Sequence, residues 1–410
     1  MQQLQDRNVP LGYLRTFLTL LVVAHHAVLA YHPYAPAAPS KTLDSSLIWA
    51  AFPIVDAQRW PGIDLFVAFN DSFFMALMFL ISGVFAWSSL ARKGAAQFVR
   101  DRARTLGLPF LLSAGLLAPL AYYPTYLALQ SPSRSFWREW LSLGSWPAGP
   151  AWFLWVLLAF AGLAAAAYAI APNVFTTIGR ISGRLAARPI VLFGAFAIVS
   201  AIAYLPMAAA FTPIAWLKAG PFFVQISRLL LYGVYFFIGV AFGALGVDRG
   251  ILASDGKLAR RWPLWIIASL VMFIVGIASF LVILSTMAKG GPRPILSAFG
   301  NFVFVLMCGA SSFACLAVFL RFAKKANRIV DSLSANAFGI YLLHYFCVSW
   351  LQLALIDAPM SGAAKGTTVF IGALLASWAM SAAFRSVRQI ARRAESRSTM
   401  PAHGTSTPVV

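Results

Sequence analysis

Charge is what this sequence has least of. Only 11% of its 410 residues are charged, where a soluble domain carries about 25%. So few ions cannot cover a water-facing surface, so a set of soluble domains is excluded and most of the surface has to face lipid. Acidic residues are scarcest, 12 against 32 lysines and arginines, which leaves a net charge of +20. In a soluble protein that excess would point to nucleic acid. Here the basic residues form short clusters between apolar runs, as topogenic loops do, and nucleic acid is not an expected partner. Cysteine is rare too, and Cys308, Cys315 and Cys347 all lie in apolar segments, so no disulfide framework is implied. No internal repeat stands out, which withholds support from an inverted-repeat transporter. Neither a metal nor a permanently bound cofactor is expected.

What is abundant is long apolar sequence. A membrane-spanning helix needs about 20 residues, and ten runs satisfy this: 11–31, 65–91, 105–128, 150–171, 190–211, 222–245, 262–287, 295–320, 334–356 and 367–384. The fold class expected is therefore all-α, a polytopic membrane helix bundle of about ten transmembrane helices. With the N-terminus placed in the cytoplasm, 22 of the 32 basic residues fall on the inner side, eight fall in outer loops, and Arg15 and Arg228 lie inside spans. That bias orients the chain with both termini cytoplasmic and the lipid bilayer as its solvent. Arg7, the first apolar run and the alanines near 35–38 could be mistaken for a cleavable signal, but Arg15, His25 and His26 suit such a segment poorly. The membrane domain is expected over 1–385, with a basic, disordered cytoplasmic tail over 386–410.

Two outer segments are more than connectors. Residues 31–64 are Pro-rich, with an apolar stretch at 47–55 expected along the interface. Residues 136–155 hold five of the thirteen tryptophans: Trp137, Trp140, Trp146, Trp152 and Trp155. An interfacial aromatic belt is the plain reading; a stacking platform for a sugar is the sharper one.

Ionisable groups inside spans are costly and usually functional. Arg15 and His26 are eleven residues apart, a rotation of three turns plus about 20°, so they share a helix face about 16 Å apart along the axis, while His25 points about 100° away. Asp71 lies about 9 Å into the second span and His26 about 8 Å from the same end of the first. Asp71 is thus expected to orient His26 as a general base. The competing reading makes His26 an interhelical hydrogen bonder and Asp71 a cap at a kink after Asn70. His344, in "SANAFGIYLLHYF", is read as a packing and hydrogen-bonding residue. Arg228 is read as snorkelling outward or lining a cavity, and Ser82 and Gly83 as permitting close helix contact.

These residues resemble a known family. Arg15, ten residues, then His26 is similar to the signature of the acyltransferase 3 family of membrane-bound acyltransferases. "NDSFFMALMFLISGVFAWSSLARKG", the following "RTLGLPF", "AWFLWVLL" and "SANAFGIYLLHYF" resemble its later landmarks. The nearest branch is the one called glucan biosynthesis protein C. Many members carry two arginines three apart after the second helix, whereas here Arg100, Arg102 and Arg104 are spaced by two. The resemblance implies O-acyl transfer, acetyl or succinyl, from cytoplasmic acyl-CoA to a carbohydrate hydroxyl at the periplasmic face of a bacterial inner membrane. Other envelope-glycan enzymes are implied as partners. On this reading Arg100, Arg102 and Arg104 neutralise the donor's phosphates, Arg15 guides its arm, and His26 is the base or a transient acyl carrier. The alternatives are a multi-pass transporter or exporter without acyl-transfer chemistry, and a membrane partner protein without catalysis.

Overall fold

The computed structural model describes residues 8–37, 41, 43, 52–288, 291 and 293–398, with side chains through Ala391. It is a helix bundle. Among the described residues nine helical stretches are long and apolar enough to cross a membrane. They are α1 (Val9–Leu29), α2 (Ile63–Leu127), α4 (Trp152–Ile170), α6 (Pro189–Phe211), α7 (Ile226–Leu245), α8 (Trp262–Met287), α9 (Pro294–Phe322), α10 (Arg328–Ala354) and α11 (Gly362–Ser398). Shorter helices lie between them, among them α3 (Phe136–Ser142) and α5 (Val174–Leu185).

Nine stretches accommodate ten expected spans because α2 holds two. Its 65 residues would extend about 98 Å at 1.5 Å per residue, three times a bilayer core. The run breaks at Gly94, whose φ of 75° and ψ of 168° are not helical, a conformation that glycine reaches without a Cβ clash. One boundary differs from expectation. Phe222–Gln225 is not helical: it pairs antiparallel with Trp216–Ala219 in a two-stranded hairpin (β1 and β2), and α7 starts at Ile226. Gly220, with φ of 57°, makes the turn, and Phe222, Phe223 and Val224 are strand-favouring residues. At the other margin α11 continues to Ser398, past the boundary drawn at 385; residues 399–410 lie outside the described residues. Of the 47–55 stretch only 52–55 is described, where Ile54 is buried in a non-helical segment.

Two packing features place the site. First, α1 is the central helix: Leu11, Leu14, Leu18 and Val22 are at most 1% exposed. Asn8 caps it by accepting from Leu11 N and donates to Val247 O beyond α7, while Tyr13 Oη donates to Asp331 Oδ1 at the start of α10. These groups define one end of the bundle, the Asn8 end. At the opposite, Tyr31 end, Trp60 N donates to Tyr31 O, and the Asp56–Lys365 ion pair fixes the loop after α1 to the start of α11.

Second, α2 and α7 run parallel with backbones in contact. A Cβ on Gly83 would fall 2.1 Å from Phe236 O, one on Gly239 2.1 Å from Leu80 O, and one on Gly243 2.3 Å from Val84 O. Only glycine allows this approach, and it realises the close contact expected at Gly83. The register pairs Leu80 with Gly239 and Val84 with Gly243. Followed back about two and a half turns, it sets Asp71 against Arg228.

Candidate functional site

A cavity of about 1520 Å³ enters the bundle at the Tyr31 end, between α1, α2, α7, α8 and α9. Its walls are chiefly apolar. The ionisable groups on it include His25, His26, Asp71 and Arg228, with His32 and Asp64 toward the mouth. His32 lies beyond α1; burial pulls its pKa below the usual imidazole value, Arg59 acts in the same direction, and Asp64 opposes them.

His26 is held through one ring nitrogen. Its Nδ1 lies 2.8 Å from Val22 O, and a carbonyl only accepts, so Nδ1 carries the proton. The same nitrogen lies 3.2 Å from His344 Nε2. His344 in turn places Nδ1 2.7 Å from Tyr341 O, which fixes its proton there and leaves the Nε2 lone pair aimed at His26. The hydrogen bonds thus assign both imidazoles the same tautomer. The lone pair of His26 is therefore on Nε2, on a residue that lines the cavity. Tyr345, whose ring centroid is 5.1 Å from that of His26, packs edge-on beside it.

His25 has the opposite arrangement. Asn70 Nδ2 donates to Leu21 O and lies 3.4 Å from His25 Nδ1, so the His25 lone pair is already occupied, and its ring stacks on Phe74. Of two adjacent histidines, only His26 offers an unengaged basic nitrogen.

Asp71 lines the same cavity as His26, as the depth reading expects, but its partner is different. Arg228 Nη2 donates to Asp71 Oδ2 at 2.7 Å and Nη1 to Asp71 O at 3.0 Å. The expected Asp71–His26 contact gives way to Asp71–Arg228, because the glycine packing of α2 on α7 turns Asp71 toward α7. The place expected of Asp71 beside the His26 imidazole is occupied by His344 and the Val22 carbonyl. Of the two readings of Arg228, the cavity-lining one fits.

The remaining site candidates lie away from the cavity. Arg15 is exposed, with its guanidinium 5.6 Å from the Phe85 ring centroid. Arg100 donates to Gln97 Oε1, Arg102 lies over the Phe98 ring, and Arg104 is exposed. Lys93 in the same stretch is paired with Asp101. The tryptophans of 136–155 do not form one platform: Trp152 lines the cavity, Trp140 is buried against Phe136 and Tyr122, and Trp155 Nε1 donates to Phe223 O.

The family model of the acyltransferase domain, acyltransferase 3, matches residues 9–382. The chain belongs to this acyltransferase family. The match runs from the start of α1 almost to the end of the apolar part of α11, so the acyltransferase domain includes the whole cavity, the His26–His344 pair and the Asp71–Arg228 pair. No curated protein and no solved structure matches the chain. Sequence reasoning missed the pairing of His344 with His26; the only local signal is that both are histidines within spans. Gln352 went unremarked too, although its Nε2 donates to His26 O and Ala27 O and steadies the last turn of α1.

Proposed function

We propose that the protein is an O-acyltransferase of a bacterial inner membrane that moves an acetyl or succinyl group from cytoplasmic acyl-CoA to a carbohydrate hydroxyl on the periplasmic side. A glucan is the favoured acceptor, in keeping with the resemblance to the glucan biosynthesis protein C branch. The observation that carries the reading is His26: a half-buried imidazole on the wall of a large cavity, its proton fixed on Nδ1 and its Nε2 lone pair unengaged.

Such a group suits general-base catalysis. His26 Nε2 takes the proton of the acceptor hydroxyl as its oxygen attacks the thioester carbonyl. The tetrahedral intermediate then collapses, the C–S bond breaks, and the departing sulfur takes the same proton back from the imidazolium. While His26 is charged, its Nδ1–H is shared between Val22 O and His344 Nε2, two acceptors already in place. Acyl-CoA would approach from the Asn8 end, which the basic residues mark as cytoplasmic. Arg100, Arg102 and Arg104 would meet its phosphates, and Arg15, three turns below His26 on the same face, would guide its arm.

The direct test is His26→Ala. Transfer is expected to fall by at least about a hundredfold while the purified variant keeps its thermal unfolding profile; full activity would end the assignment. Mass spectrometry of envelope glycans from a deletion strain names the acyl group and its carrier together. The size of the cavity also favours a second reading, a glycan transporter. Solute uptake by protein-containing liposomes without any acyl donor would favour that reading.

A further inference from the structure

The Asp71–Arg228 pair has no task in the acyl-transfer steps above, yet it is placed where a ligand would meet it. Its two charges cancel, and 45% of the Asp71 side chain is accessible against 13% for Arg228. Arg228 Nη2 occupies Asp71 Oδ2, which leaves Oδ1 as an acceptor. Arg228 Nε is unpaired but sealed off, so the guanidinium can meet a ligand only through the 13% of the side chain that stays accessible on the cavity wall. One turn along α7, the buried Tyr232 is stacked between Phe79 and Trp152, and it backs the half-buried Trp152 on the same cavity wall.

This chemistry selects among ligand classes. An anion at the pair would face the Asp71 carboxylate, and a cation would face the Arg228 guanidinium. A hydroxyl donates and accepts, so it satisfies both at once. Aromatic faces suit the C–H side of a sugar ring. The volume of about 1520 Å³ exceeds the ~300–1,000 Å³ of ordinary small-ligand pockets, leaving room for more than one ring. We infer that Asp71 and Arg228 form the binding site for a neutral, polyhydroxylated acceptor, with Trp152 as its stacking surface. The inference deepens the acyl-transfer reading, on which it rests only in naming the ligand as the acceptor.

The experiment measures binding with no acyl donor present, so its failure is distinguishable from a failure of acyl transfer. The full-length protein in detergent is titrated with neutral glucose and galactose oligosaccharides, followed by tryptophan fluorescence. Saturable binding is expected, undisturbed by inorganic phosphate or succinate. Asp71→Asn is expected to raise the half-saturating concentration at least about tenfold, as loss of a charged hydrogen-bond partner does. Because that variant leaves the Arg228 cation without its counter-ion, Asp71→Asn/Arg228→Gln is measured beside it; it strands no charge and is expected to show the same loss. In transfer assays Asp71→Asn is expected to raise the acceptor KM far more than the donor KM. His26→Ala, inactive on the acyl-transfer reading, is expected still to bind the oligosaccharides. The inference is overturned if the wild type binds none of them, if phosphate or succinate displaces them, or if either Asp71 variant binds as the wild type does.

Discussion

Two of the three aspartate–cation pairs among the described residues, Asp56–Lys365 and Asp71–Arg228, are of nearly equal length and opposite setting. Lys365 Nζ lies 2.8 Å from Asp56 Oδ2, and both side chains are 1% exposed. Lys365 also donates to Ile356 O, and Asp56 Oδ1 accepts from Gln58 N. Every charge there is spent on the chain itself, so the pair closes the Tyr31 end as a clamp. Arg228 and Asp71 lie 2.7 Å apart on the wall of the cavity, with the Asp71 side chain half open. An ion pair in a membrane bundle is therefore not informative by its presence alone. What its remaining donors and acceptors face decides whether it is a fastener or a recognition element.

Mutation separates the two kinds of pair. The largest stability effect is expected from Lys365→Met, which leaves Asp56 buried and unpaired; a loss of about 3–5 kcal/mol is the usual scale, read by thermal unfolding in detergent. The folded fraction should keep its acceptor KM, and a variant that unfolds normally but binds acceptor poorly would erase the distinction. Replacing both partners, Asp56→Leu with Lys365→Met, should recover most of that stability, since two apolar side chains strand no charge. Next is Gly239→Ala, whose Cβ would meet Leu80 O. Forcing α2 and α7 apart should cost about 1–3 kcal/mol and, by shifting Asp71 against Arg228, should weaken oligosaccharide binding as well. A stability loss with unchanged binding would show that the glycine register does not set the open pair. The smallest effect is expected at His344. His344→Gln, which keeps an acceptor near His26 Nδ1, should reduce transfer about tenfold or less, and His344→Ala should reduce it further and displace the pH–rate profile. Equal loss in both, with no change in profile, would make His344 a packing residue only.

Much of the architecture was legible because hydrophobic length is a one-dimensional property. Nine of the ten apolar runs fall within the helical stretches to within about two residues, and the one misplaced segment, Phe222–Gln225 in the remaining run, is apolar whether it forms a strand or a helix. The site was legible in depth but not in rotation. Counting residues placed His26 and Asp71 at similar depth, and both line the cavity. It could not show which way α2 faces, and that is settled by Gly83, Gly239 and Gly243 against α7. His344 illustrates the same limit. It lies 318 residues from His26 in the chain, and no periodicity within one helix can announce a partner on another.

A membrane helix bundle, a shared face of the first helix for Arg15 and His26, and ionisable groups kept where lipid would exclude them could all be read along the chain. Those conclusions need only hydropathy and the helical repeat. Tertiary structure decided the partners: His344 rather than Asp71 for the imidazole, Arg228 for the carboxylate, and Lys365 for Asp56. Hydrogen bonds and ion pairs depend on separations of about 3 Å, and these are set by how closely the helix backbones approach and how each helix is rotated in the bundle.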